Sequence, residues 1–565
     1  MKRTLKYLKP YTGTVSAAII IKFIGTLGEL FLPFLLEYVI NDAVPAKDLT
    51  MIILLGVGML LCSFIALFGN ITANRLSVKA SGDMTHDLRY DLFEKISYLK
   101  CGQVDSFGVP SLISRMTSDT YYVNKMVANT MRMGVRAPIL FLGGLILSFV
   151  LDSMLALVML ATVPFVVVAL FFITRQTIPG YVAVQKSGDN MVRSMQENAS
   201  GIRVIKALSK TEYENEKFDK ITEKLASDEL RANAVMSLTN PLATLILSLG
   251  LVAVIVVGAI RGTAAGTVLA FLSYFTIILN GMIGISKIFV VISRGAASSG
   301  RVEKVLEADV TELVGEYPEG NSEYAIEFSS VSFSYNGVED NLKDINFAVP
   351  RGRTLGIIGA TGSGKSTVIN LLMRFYDVGK GQVLIDGKDV RSYDAGELRK
   401  KFGAAFQNDF LMSSSVRDNV DYGRGLSDEE IRRAISAAQA EEFVSNLEGG
   451  LDFILAQKGQ NLSGGQKQRL LIARALAGNP EILVLDDSSS ALDYATDAKL
   501  RRALAEGYDG VTKVIVAQRI SSVKSADLIL VLDDGEVIGS GTHEELLKNC
   551  GEYSLMYSAQ MGGEL

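Results

Sequence analysis

Eight residues, Gly359-Ala-Thr-Gly-Ser-Gly-Lys-Ser366, have the types and spacing needed to hold phosphate. The glycines let backbone N–H groups wrap a polyanion, and a helix starting near Ser366 would aim its positive N-terminal end at it. Lys365 would reach the β- and γ-phosphates of ATP and the Ser366 hydroxyl would bind Mg²⁺, with Thr361, Ser363 and Thr367 joining Gly359, Gly362 and Gly364 in the nucleotide-binding set. A second stretch answers this loop. Ile482-Leu-Val-Leu-Asp486 is a continuous apolar run ending in a carboxylate, the pattern of a strand buried on both faces of a parallel sheet. Asp486 would hold Mg²⁺ opposite Ser366.

Positioning these residues takes only part of the chain. Its 565 residues exceed what one core supports. A mean hydropathy of +0.27, with 48% hydrophobic and 21% charged residues, fits an apolar membrane half averaged with a soluble half. The net charge of −5 gives no basis for a nucleic-acid partner. Cys62, Cys101 and Cys550 are too widely spaced for a disulfide framework or a zinc site. Lys2, Arg3, Lys6 and Lys9 precede an apolar stretch without a small-residue cleavage site, which reads as a retained first helix.

The apolar stretches predict a transmembrane domain over 1–310 with six spans, at about 12–40, 51–74, 137–151, 153–174, 236–260 and 263–290. Lys and Arg gather at the N-terminus and in the loops 75–136 and 175–235, whereas the opposite loops carry only Lys47 and Arg261. Both chain ends and the phosphate-binding loop therefore belong in the cytosol. The two long loops have helical character and would extend about 40 Å beyond the bilayer. Their tips, near Gln103–Ser111 and Gly201–Ser209, would touch a nucleotide-binding domain. Lys22, Glu29 and Glu37 lie near one face of the first span. They either line a wet cavity that prefers cationic solutes, or snorkel and pair within the bundle. Phe271, Tyr274 and Phe275 either present aromatic surface to an apolar substrate or pack.

After a linker at 311–325, short β-branched and aromatic strands begin at Ile326 and predict an α/β nucleotide-binding domain over 326–565. The fold class is thus a six-span α-helical membrane domain fused to a cytosolic α/β P-loop domain. Between the P-loop and the Asp486 strand stands Leu462-Ser-Gly-Gly-Gln466. With these three motifs in this order, the chain resembles the ATP-binding cassette (ABC) transporters over essentially its full length. Six spans ahead of one cassette is similar to a half-transporter of the exporter type. The resemblance implies that Tyr335 stacks on adenine, that Gln407 links the metal to the coupling helices, and that Ser490-Ala-Leu-Asp493 forms the D-loop. Cassettes of this family close head to tail. By that resemblance Ser463, Gly464, Gly465 and Gln466 act on ATP held by a partner's P-loop.

Three positions depart from the family pattern. Asp487 stands where a glutamate usually orients or deprotonates the attacking water, Gln518 replaces the switch histidine, and Gln457 replaces a glutamate before the signature. A reacting group misplaced by about 1 Å can cost on the order of 100-fold in rate. Glutamine can neither carry charge nor take a proton. Neither His86 nor His543, the chain's two histidines, is placed to substitute. This combination is similar to the degenerate-site subunit of heterodimeric bacterial multidrug exporters. It implies ATP-driven export of hydrophobic or amphipathic compounds, whether drug, lipid or peptide, by a multi-pass protein of the bacterial cytoplasmic membrane. The partner would be a second half-transporter with intact Walker B glutamate and switch histidine, and hydrolysis would occur mainly at the site that this chain's signature completes. The alternatives are a homodimeric exporter, a nucleotide-gated regulatory or channel subunit, and import through the same fold.

Overall fold

Long apolar runs bounded by charged segments form long helices, joined by shorter ones. In the computed structural model, which describes residues 2–311, 314–407, 410–488 and 491–561, these are α1 (Thr12–Tyr38), α2 (Leu49–Ser97), α3 (Cys101–Phe107), α4 (Thr120–Leu151), α5 (Ser153–Ser200), α6 (Ile202–Ala207), α7 (Thr211–Ser237), α8 (Thr239–Arg261) and α9 (Ala265–Leu306). Six helical stretches among the described residues are long and apolar enough to cross a membrane. Contacts divide the chain into two units, Met1–Ser97 with Val109–Ala308, and Tyr98–Gly108 with Asp309–Leu565.

In the first unit, Asp152 alone separates α4 from α5. Its carboxylate accepts from the backbone N–H groups of Met154 at 2.9 Å and Leu155 at 3.0 Å, capping α5, and pairs with Arg261 at 3.0 Å. Small residues set the helix crossings. A Cβ on Gly28 would lie 2.8 Å from the Cys62 carbonyl oxygen, and one on Gly284 would lie 2.8 Å from the Ala137 Cβ. Phe271, Tyr274 and Phe275 are buried in the bundle, and the Tyr274 hydroxyl donates to the Leu30 carbonyl at 2.8 Å. They are packing residues, with Phe275 also lining a small apolar cavity beside Met159 and Met282. Glu29 accepts from Asn70 at 2.7 Å and pairs with Arg136 at 2.8 Å, while Glu37 accepts from Asn41 at 2.7 Å and Thr267 at 2.9 Å. Both carboxylates are satisfied within the bundle, which removes the basis for a cation-preferring cavity. Lys22 does not snorkel: it is 4% exposed and donates to Asn74 at 3.2 Å.

The second unit contains two sheets. The strands β1 (Tyr324–Phe333), β2 (Leu342–Pro350), β4 (Lys380–Ile385) and β5 (Lys388–Asp389) form an antiparallel sheet in the order β2-β1-β4-β5. β3 (Thr354–Gly359), β6 (Phe402–Ala405), β7 (Ile482–Asp486), β8 (Thr512–Val516), β9 (Leu528–Asp533) and β10 (Glu536–Gly541) form the other, in the order β10-β9-β3-β8-β7-β6. All of its pairings are parallel except β9 with β10. Every residue of β7 is buried, which is why its sequence is an unbroken apolar run. The helices α10 (Lys365–Leu372), α11 (Gly464–Leu476) and α12 (Tyr494–Gly507) carry the motif residues that follow. α3 belongs to this unit: Gln103 donates to the Asp309 carbonyl at 2.8 Å and the Tyr376 hydroxyl donates to Asp105.

The Gly28 contact gives a direct test of the α1–α2 crossing. Gly28→Val should destabilise the protein by about 1–3 kcal/mol, read as a lowered thermal unfolding midpoint in detergent. Gly56→Val, where an added Cβ meets nothing within 4 Å, should leave the midpoint unchanged.

Candidate functional site

Because β3, β8, β7 and β6 are consecutive and parallel in the sheet, their C-terminal ends share one edge. The P-loop follows β3, Gln518 follows β8, Asp486 ends β7 with Asp487 next to it, and Gln407 lies two residues beyond β6. This edge is where open α/β sheets bind ligands. Together with Thr361, Gly362, Gly364, Lys365, Ser366 and Thr367, these residues line a cavity of about 300 Å³.

The loop itself needs glycine. Gly362 and Gly364 adopt φ of +90° and +99°, and a Cβ on Gly359 would lie 2.1 Å from the Leu532 carbonyl oxygen. Lys365 folds back to donate to the carbonyls of Gly359 at 2.9 Å and Ala360 at 2.6 Å. Burial pushes its ammonium below the ordinary lysine range. The Ser366 hydroxyl donates to Asp486 at 3.0 Å. Burial raises the Asp486 carboxyl, an effect that the bond from Ser366 opposes; it also raises that of Asp487, against the pull of Lys365. The Ser363 hydroxyl is buried without a hydrogen-bond partner. A buried orphan hydroxyl, a lysine satisfied only by carbonyls, and a serine–carboxylate pair make a donor set that fits a triphosphate with its cation. Ser366 and Asp486 would hold Mg²⁺ as hard oxygen ligands, and among the described residues no group of three or more His, Cys, Asp or Glu side chains could hold a metal alone.

Asp487 is the most constrained residue of the site. Its backbone is left-handed, with φ +47°, and its N–H donates to the Val516 carbonyl at 2.9 Å. The amide nitrogens of Gln407 and Gln518 each lie 3.3 Å from the same carboxylate oxygen, Oδ2. Gln468 donates to its backbone carbonyl at 3.4 Å.

Other expected residues stand apart from the cavity. Tyr335 is exposed and packs edge-on against Phe333 at 4.8 Å and Tyr376 at 4.9 Å, with Asn370 donating to its hydroxyl at 2.8 Å. Ser463 caps α11 reciprocally with Gln466: the Gln466 N–H donates to the Ser463 hydroxyl at 3.3 Å and the Ser463 N–H to the Gln466 side chain at 2.9 Å. Neither these residues nor Gly464 and Gly465 line the cavity. Asp493 caps α12 by accepting from the Thr496 N–H at 2.8 Å, which holds its carboxyl below the usual range. Ser490 lies outside the described residues. His543 hydrogen-bonds Tyr553 at 2.8 Å and His86 pairs with Asp87, both outside the cavity. The motifs did not reveal Glu339, Asp340, Asn341, Asp534 and Gly535 as lining residues. Asp534-Gly535 forms the β9–β10 turn with φ of +42° and +79°, and an Asp-Gly pair between apolar runs is a legible hairpin signal.

Residues 15–282 match the family described as ABC transporter transmembrane region, and residues 342–490 match that described as ABC transporter. YfiB of Bacillus subtilis, an uncharacterised ABC transporter ATP-binding protein, is 33% identical over 570 residues, covering 100% of this chain and 99% of its own length. The chain belongs to the ABC transporters. This transporter is also 28% identical over 575 residues to an ATP-dependent lipid A-core flippase of Vibrio vulnificus, with 99% of the chain and 97% of the flippase covered. A bacterial Atm1-family ABC exporter with ATP bound shares its fold with a TM-score of 0.81 at 22% identity, covering 97% of this chain and 98% of that one. The protein is an ABC half-transporter with the fold of an ABC exporter: a multi-pass membrane protein whose single ATP-binding cassette couples ATPase activity to transport.

Lys365→Ala should weaken ATP binding about 10- to 100-fold, since hydrogen bonds to charged groups contribute about 1.5–3 kcal/mol. Titration with a fluorescent ATP analogue reads the change, and unaltered affinity would remove the P-loop from the binding site.

Proposed function

We propose that this chain is the ATP-holding, weakly hydrolysing half of a heterodimeric exporter. The observation that carries this reading is the engagement of one Asp487 oxygen by both Gln407 and Gln518. A general base needs a free lone pair directed at the attacking water. Here the carboxylate is short, its Oδ2 is shared between two amides, and neither His86 nor His543 lines the cavity to act in its place. Thr361, Lys365, Ser366, Asp486 and Gln407 retain the means to bind ATP with Mg²⁺.

The signature supports the second half of the proposal. Gly464 and Gly465 sit at the N-terminus of a 13-residue helix, which suits a phosphate. That end lies outside this chain's own cavity, which supports a phosphate held by a partner's P-loop. Bound ATP supplies the γ-phosphate whose hydrolysis resets the closed pair. Ser463, Gly464, Gly465 and Gln466 hold the partner-bound phosphate, and Asp493 caps α12. The Asp105 and Gln103 contacts of α3 carry cassette closure into α2 and α4, to which α3 is covalently joined.

The transported compounds are hydrophobic or amphipathic, in the range from multidrug efflux to lipid or peptide export. The relative named as a lipid A-core flippase supports an amphipathic lipid within that range. Relatives in Bacillus and Vibrio support residence in a bacterial cytoplasmic membrane, with the N-terminus and cassette cytosolic.

The purified chain in lipid nanodiscs should bind ATP with almost no turnover. Vigorous hydrolysis by the chain alone would establish a homodimeric exporter instead. In the assembled pair, Ser463→Ala should lower turnover on the order of 100-fold, as loss of a transition-state donor does, whereas Asp487→Asn should change it by less than about twofold, since its carboxylate is not asked to act as base. Equal losses from both substitutions would overturn the asymmetry.

A further inference from the structure

Gln518 reaches Asp487 from a segment that has just left the sheet, so its amide stays there only while that backbone is held. Ala517 is tied to the sheet by its N–H, which donates to the Ile357 carbonyl at 3.1 Å, and the Ser521 carbonyl accepts from Arg501 of α12. Between these two anchors the segment meets the side chain of Gln560. Its Nε2 donates to the Gln518 carbonyl at 2.9 Å, and its Oε1 accepts from the Ile520 N–H at 2.8 Å. A primary amide carries a donor and an acceptor side by side, which lets one side chain satisfy both a carbonyl and a nearby N–H. Arg519 lies between the two clamped residues, its guanidinium 5.2 Å from the centroid of the Tyr494 ring. Burial raises the Asp487 carboxyl, and the charges of Lys365 and Arg519 oppose that rise. The clamp therefore sets two side chains that act on Asp487.

The clamp is fixed from behind. Gln560 stands on α13 (Gly551–Met561), where Tyr553, Met556, Tyr557 and Gln560 fall on one helical face. Tyr553 is fully buried in a core with Ile358, Ala517, Ile520 and Val523, and Met556 and Tyr557 pack against that core. Ile358 precedes the P-loop, while Ala517 and Ile520 flank Gln518 and Arg519. The apolar part of the face thus seats α13 against the strand ends that carry the site. Gln560, at the exposed end of the same face, extends this contact to the backbone through hydrogen bonds. It does not line the cavity, so it acts on bound nucleotide only through the segment it holds.

We propose that Gln560 is a positioning residue of the nucleotide site: from α13 it holds the Gln518–Ile520 backbone so that the Gln518 amide stays on Asp487 Oδ2. The direction of its effect on hydrolysis rests on the reading above, in which that amide helps keep Asp487 from serving as base; the positioning itself does not. Without Gln560 the backbone pivots between Ala517 and Ser521, which remain tied to Ile357 and Arg501. The Gln518 amide then leaves, and a lone pair of Asp487 is returned to water.

The test uses the full chain in lipid nanodiscs with ATP labelled at the γ-phosphate, reading turnover and ATP affinity on the same sample. Gln560→Ala should raise residual turnover about three- to tenfold, the size expected from one or two lost neutral hydrogen bonds, with ATP affinity held within about twofold. Gln560→Glu keeps the acceptor for Ile520 but cannot donate to the Gln518 carbonyl, and should raise turnover as much. Gln518→Ala should raise it too, and adding Gln560→Ala to that variant should change turnover by less than about twofold, because the two residues act in series. Unchanged turnover in both Gln560 variants, or effects that multiply in the double variant, would overturn the positioning role. A loss of ATP affinity in both Gln560 variants would overturn it as well, since that marks a general loosening of the cavity. Vigorous wild-type turnover, slowed by Gln560→Ala only while Gln518 is present, would overturn the weakly hydrolysing reading and keep the positioning role.

Discussion

The parallel pairing of β3, β8 and β7 is the constraint on which the site depends. Register places Ile357 beside Val516 and Val516 beside Asp486, so the strand ends cannot slide apart without breaking the central ladder. Burial of β7 on both faces requires an apolar sequence up to Asp486, and only at the sheet edge does the chain become polar. The P-loop, the carboxylates and Gln518 meet because neighbouring strands end together. No single motif brings them there.

The same convergence produces the competition at Asp487. Its left-handed backbone is a conformation that costs a non-glycine residue about 1–3 kcal/mol, and the bond to Val516 holds it in that conformation. Gln407 comes from β6 and Gln518 from β8, the strands on either side of β7, and both reach the one carboxylate oxygen. Gln518 does more than lack a basic nitrogen. It is a donor that helps occupy the residue beside it. Next to this pair, Ser366 and Asp486 keep the geometry of a cation site. The phosphate-facing groups and the Asp487 carboxylate with its two amides share one cavity.

The membrane unit follows a different rule, because in hydrocarbon every charge needs a partner. Glu37 finds Asn41 and Thr267, and Glu29 finds Asn70 and Arg136. Small residues at the helix crossings, Gly28 and Gly284 among them, let the helices that carry these pairs pack closely.

The sequence by itself determined whatever depends on near neighbours in the chain. The P-loop, the apolar strand ending at Asp486, the Ser463–Gln466 cap and the apolar runs of six membrane-crossing stretches are local patterns, because backbone conformation and hydropathy act over a few residues. The replacements at Asp487 and Gln518 were also legible, as side-chain identities at motif positions. Only the tertiary structure decided what those side chains touch. It turned Phe271, Tyr274 and Phe275 inward, buried Lys22 where a snorkelling lysine was one expectation, and set Tyr335 edge-on against Tyr376, whose hydroxyl reaches Asp105 far away in sequence. It also brought Asp534 and Gly535 to the cavity wall. Each of these outcomes joins residues separated by tens to hundreds of positions. Such contacts are fixed by register and helix packing, which no local pattern encodes.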